Sequence, residues 1–177
     1  MAQQQTIKQV GAYPIAHVLP PVNPFLGLIP KKYWKRIKDF FIYATDFVPL
    51  ANSQTLTQPI QIQNDSDFLI MAGVYVETST DNVTTFINPS PLMVTITDSG
   101  SGRQLMNTPI HINNLFGTAQ LPAIWPFPKV IPAGASLNTQ LVNLDTVNSR
   151  NVRIAYWGFK IFALQEQDTT AGPGAGA

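Results

Sequence analysis

No cysteine occurs in this chain, and only two histidines, His17 and His111, far apart along it. Without thiolates there is no disulfide framework and no cysteine-ligated metal site, and without neighbouring imidazoles there is no paired-histidine spacing for zinc. Charge is scarce as well, at 12% of residues. No apolar run reaches the ~18–20 residues that a membrane span requires, so no membrane partner is expected. The opening MAQQQTIKQVGAYPIAHVLPP lacks the charged start, unbroken apolar core and cleavage site of a secretory signal, which leads us to expect synthesis and folding in a cytosol. A nucleophile elbow is missing, and GPGAGA at 172–177 opens no nucleotide-binding unit. The expectation is a protein that is not an enzyme, with no catalytic residue, no cofactor and no bound metal.

What the chain has is apolar bulk and turn formers: 45% hydrophobic residues, 15 prolines and 11 glycines in 177 residues, with Asn, Gln, Ser and Thr filling much of the rest. Polar uncharged side chains suit exposed strand faces, and Pro and Gly suit the turns between strands. Strand-like segments recur at 40–48, 59–63, 67–78, 91–97, 109–112, 135–144 and 151–162, with turn clusters such as NDS and DSGSG among the segments that separate them. Short strands at such spacing predict an all-β fold, a jelly-roll-like antiparallel β-sandwich over residues 39–164.

The ends read differently. Residues 1–38 carry six Lys/Arg and no acid, whereas 39–177 carry five Lys/Arg and ten acids, so the two parts are +6 and −5. Pro14, Pro20, Pro21, Pro24 and Pro30 leave no room for a regular element, which makes residues 1–38 an extended basic and apolar arm. Val18, Leu19, Val22, Phe25, Leu26, Leu28 and Ile29 are too apolar for a free tail, so the arm is expected to lie on a protein surface, that of a neighbouring subunit or partner. A protein starting near Lys31 would then keep its stability and lose binding. At its end, KKYWKRIKDFF (31–41) spaces Tyr33, Trp34, Ile37, Phe40 and Phe41 for a short amphipathic helix, with Lys31, Lys32, Lys35 and Arg36 opposite. So basic a face suits an acidic partner; the ordinary reading of a solvated charged face argues against nucleic acid or membrane. Residues 165–177 are expected to form a flexible tail.

Two segments of the body stand out. In the final strand, Val152, Ile154, Tyr156 and Phe162 share one face while Ala155, Trp157, Phe159 and Ile161 share the other with Arg153, so both faces are apolar toward its end. Such a strand is central in a two-layer structure or covered by another chain. In LPAIWPFPKVIPAGASL (121–137), prolines at 122, 126, 128 and 132 forbid a central strand, so the segment must run along an edge or over a surface. Its large side chains need cover from the sandwich's own end or from another subunit, and Trp125 and Phe127 join the arm residues as candidate partner contacts.

Weaker constellations have ordinary readings. Asp65 and Asp67 in NDSD have calcium-loop spacing but no glycine or bidentate glutamate after them, so an Asx turn is expected. DSGSGRQ (98–104) follows a strand without opening a helix, so it reads as a hairpin loop, not a phosphate cradle. His111 sits in an alternating strand as a core or surface imidazole.

The order of DFLIMAG, PLMVTITDSGSGRQLMNTPIHINNLFG, LPAIWPFPKVIPAGASLNTQLVNL and NVRIAYWGFKIF resembles small structural proteins of tailed bacteriophage virions, over about residues 40–162. The resemblance implies a β-sandwich virion component of the capsid decoration or cement type. It implies the major capsid protein or another virion protein as partner, assembly as a homo-oligomer, and a virion location after synthesis in the host cytoplasm. A neck or tail component, and a jelly-roll module binding host glycans through Tyr13, Trp34 and Trp125, stay open beside it.

Overall fold

In a computed structural model, residues 37–80 and 89–162 are described. Nine strands follow one another: β1 (Ile37–Leu50), β2 (Thr55–Gln61), β3 (Ser66–Ser79), β4 (Leu92–Asp98), β5 (Arg103–Gln104), β6 (Ile110–His111), β7 (Ala123–Ile131), β8 (Ser136–Asn143) and β9 (Arg150–Phe162). One sheet has the order β1-β9-β3-β7, and the other β2-β8-β4-β5, with β6 also on β4. All pairings between these strands are antiparallel. Strands β5 and β6 meet opposite ends of β4, at Thr97 and Asp98 and at Met93 and Val94, and so act as one interrupted strand. Counted that way, the chain crosses between sheets at every connection except the β4–β5 hairpin, which is jelly-roll connectivity. The predicted β-sandwich is therefore the fold.

The core follows period two. Phe41, Tyr43 and Phe47 of β1, Leu92, Val94 and Ile96 of β4, Leu137 and Leu141 of β8, and Val152, Ile154 and Tyr156 of β9 point between the sheets and form one cluster. Burying each large apolar side chain is worth roughly 1.5–3 kcal/mol, so this interleaved set outweighs local preference in its strands. That settles the start of the body. The spacing of 31–41 predicted a helix, yet Ile37–Phe41 belong to β1, paired with β9 from Ile37↔Ile161 to Phe41↔Gly158. A strand sends Phe41 into the core and Phe40 to the opposite face, where it is 55% exposed. A ladder of partners along β9 decides the matter against a short isolated helix. The rest of that expected helix, the arm and the tail lie outside the described residues.

Two irregularities shape the β1-β9-β3-β7 sheet. In β3, Ile70 faces Gly158 and Ala72 faces Trp157, leaving Met71 as an extra residue, a β-bulge that switches which residues face inward. Opposite the same place, β7 pairs Lys129 with Ile70 but Ile124 with Ala72. Trp125, Pro126, Phe127 and Pro128 thus swing away from the ladder. Proline cannot donate to a ladder, and both prolines sit in this unpaired stretch.

Candidate interaction surface

The four residues of the swung-out stretch separate by side. Trp125 turns inward: it is buried, its Nε1 donates to the Leu115 carbonyl at 3.1 Å, and its ring meets Tyr156 edge-on at 6.1 Å. Phe127 stands out and is 86% exposed. Pro126 and Pro128 fix φ on either side of it, so the ring is held out on a stiff backbone, beside a depression that also involves Leu105, Met106 and Leu115. As expected for a proline-rich stretch, β7 is an edge strand, bonded only to β3. The two ways of covering its apolar side chains are divided: Trp125 and Ile131 close the chain's own sandwich, while Leu121, Ile124 and Phe127 remain exposed.

The outer face of the same sheet is the second feature. Phe40 and Ile42 of β1, Trp157 and Phe159 of β9, and Ile124 of β7 point away from the core. Phe40 meets Trp157 at 6.1 Å and Phe159 at 5.9 Å, both edge-on. With Ala72, Leu121 and Ile124 these rings line a groove of about 430 Å³ that contains no charged side chain. Next to it, Leu69, Met71 and Ile161 form a small second apolar cluster with Val130 and Phe159. So both faces of β9 are apolar for a reason the structure makes plain: one builds the core and the other builds this surface.

Charged groups are paired off at the ends of the sandwich. Arg150 donates to Glu77 and, at 2.6 Å, to Asp145. Asp145 also accepts from the Asn148 side chain and from the Val147 and Asn148 amides, which together hold its carboxyl far below the ordinary carboxylate range. Lys160 donates to Gln63 and to Asp65 at 2.9 Å, and lies 4.6 Å over the Phe41 ring. Arg153 and Asp46 form a two-pronged pair at 2.5 and 2.8 Å on the surface. The Arg150–Glu77, Arg153–Asp46 and Lys160–Asp65 links could not be read from spacing, because each joins residues far apart in the sequence, whereas the bonds around Asp145 are local to the turn before β9.

The weak motifs hold structural bonds. Asp65 binds Lys160 and Ser66, whereas Asp67 accepts from the Ala133 amide at 3.0 Å, so the two carboxylates serve separate structural bonds. Asp98 accepts from the Gly100 amide at 2.9 Å and Ser101 at 2.8 Å, and Gly102 takes φ +64°, making 98–104 a hairpin turn. His111 is exposed on β6. Among the described residues no three His, Cys, Asp or Glu side chains gather, and no helix is long and apolar enough to cross a membrane.

Of the sequence-predicted contacts, only Trp125 and Phe127 fall among the described residues; Val18, Leu19, Val22, Phe25, Leu26, Leu28, Ile29, Lys31, Lys32, Trp34, Lys35 and Arg36 lie outside them. Leu121, Ile124, Phe40 and Trp157 were not among the predicted contacts. The proline-rich segment had already marked Leu121 and Ile124 as needing cover, and the alternation of β9 had put Trp157 on a second apolar face; nothing local marked Phe40.

No protein-family model matches the chain, and no curated protein does. Among solved structures, the infectious bursal disease virus VP2 subviral particle is similar over 72% of this chain, at 12% identity and a TM-score of 0.28. The chain spans 38% of the length of that protein. A likeness this slight carries no argument about function.

Proposed function

We propose that the protein is a non-enzymatic structural component of a virus particle, of the decoration or cement type found on tailed phages. It is made in the host cytoplasm, associates as a homo-oligomer, and binds a repeating lattice of major capsid protein. The observation that carries this reading is Phe127, 86% exposed between two prolines at a sheet edge. A large ring fixed in that way loses little entropy on docking, and bound in a pocket it supplies the kind of buried aromatic anchor on which interfaces depend. Among the described residues, Trp125, one of the three aromatics of the glycan-binding alternative, is inside the core and so is not offered to a sugar.

The test is quantitative mass spectrometry of purified particles. Hundreds of copies per particle are expected for a decoration protein. A count of about six or twelve would place the protein in a neck or tail ring instead, since closed rings have fixed small symmetry. Absence from purified particles would end the reading altogether.

A further inference from the structure

We infer that two copies of the chain stack face to face through the outer side of the β1-β9-β3-β7 sheet, about a twofold axis that runs along the strands between β9 and β3. The inference rests on the homo-oligomeric part of the proposed function and names its contact. Among the described residues, six of the nine exposed large apolar side chains lie on this one face: Phe40, Ile42, Val48, Val76, Leu121 and Ile124, each between 44% and 78% exposed. Single apolar side chains scattered over a surface need no partner, but a continuous patch does.

Three observations choose a second copy as the partner. The first is shape. The large rings of Phe40, Trp157 and Phe159 stand on the β1-β9 half of the face, whereas the groove they border continues over the single methyl of Ala72 on the β3-β7 half. A twofold axis between β9 and β3 lays the ring half of each copy on the groove half of the other, so one surface supplies both sides of the contact. The second is charge. Three successive rows across β1 and β9, Phe40–Phe159, Ile42–Trp157 and Ala44–Ala155, are apolar, and the fourth is the ion pair Asp46–Arg153. With the axis along the strands each row meets the same row of the partner, so the two ion pairs come together at one end, each sign with its opposite on the other copy. Turned the other way, they would lie against the rings, losing water and gaining no new partner. The third is size. The stretch from Phe40 to Val48 is about 30 Å long, and four strands about 4.8 Å apart are about 19 Å wide. Two such faces together cover about 1,100 Å², just above the roughly 1,000 Å² that a specific contact needs.

Sedimentation velocity and native mass spectrometry of the full chain test this contact. The protein should run as a pair or a multiple of one, and Ile42→Asp and Ile124→Asp, both at exposed positions, should each halve its mass while leaving the far-ultraviolet circular dichroism unchanged. Charge gives a sharper version. Arg153→Asp leaves two acids on each face and Asp46→Arg two bases, so each variant alone should self-associate at least about tenfold more weakly than the unaltered protein, whereas an equimolar mixture should form mixed pairs. A role of the ion pair confined to one chain predicts no such recovery on mixing. An oligomer that keeps its mass in both aspartate variants would overturn this contact and leave the homo-oligomer standing. A protein that stays monomeric at its highest soluble concentration would sink both, with the virion reading still decided by copy number on purified particles. Mixtures that associate no better than either charge variant alone would refute the twofold stack.

Discussion

The Tyr156 phenol and the Thr139 hydroxyl meet 2.6 Å apart in the middle of the sandwich, one from each sheet, with both residues fully buried. This contact is a polar bond across an otherwise apolar interior, made by β9 reaching β8. Tyr156→Phe should lower stability by about 1–3 kcal/mol, because Thr139 is left without its partner in a dry site. Adding Thr139→Val should recover part of that loss, since removing both polar groups costs less than orphaning one. Urea denaturation midpoints of the single and double variants check this.

The same burial sets an alkaline limit. Tyr156 is held well above its ordinary value of 10.0 by desolvation, against which the Thr139 bond works only partly. A group whose folded value is raised contributes stability below the unfolded value and loses it as pH climbs. The melting temperature should therefore fall above about pH 10, and less steeply in Tyr156→Phe.

Asp145 sets the acid limit. Hydrogen bonds from the Asn148 side chain, then Arg150, then the Val147 and Asn148 amides hold its carboxyl low. A depressed folded value contributes stability above the unfolded value, near 3.8, and loses it as pH falls toward the folded one. Melting temperature should drop progressively below about pH 4. Asp145→Asn should be less stable at neutral pH and flatter across that range.

Trp125 and Phe127, two positions apart, should respond in opposite ways. Trp125→Ala opens the core beside Tyr156 and should cost about 3–5 kcal/mol. Phe127→Ser changes a side chain in water and should alter stability by less than about 0.5 kcal/mol, while weakening attachment to particles stripped of the native copy. Chemical denaturation and particle co-sedimentation separate the two effects. Undiminished attachment by Phe127→Ser would remove the proposed anchor.

Gly158 occupies the centre of β9 where it passes β3. A Cβ there would lie 2.0 Å from the Leu69 carbonyl oxygen, a backbone atom locked in the sheet. At Gly73 the nearest atom is on the Phe116 ring at 2.5 Å, a side chain with some freedom to move. Gly158→Ala should accordingly fail to fold or lose about 4 kcal/mol or more, with Gly73→Ala milder. Soluble yield and melting temperature of the two variants would rank them.

By itself the sequence determined the class of fold and most of its strands. Alternation in β4, β8 and β9 is a property of a pleated chain between two environments, so it survives as a local pattern. The confinement of residues 121–137 to an edge was legible too, since a missing amide donor is a covalent fact about proline. Tertiary structure alone decided the rest. Whether Phe40 and Phe41 share a helical stripe or take opposite faces of a strand depended on β9 lying alongside. Which of Trp125 and Phe127 faces the core depended on a bulge at Met71 and on the missing ladder opposite it. The groove, likewise, is assembled from strands β1, β3, β7 and β9 with the 121–122 segment, and no local window of sequence contains all of its walls.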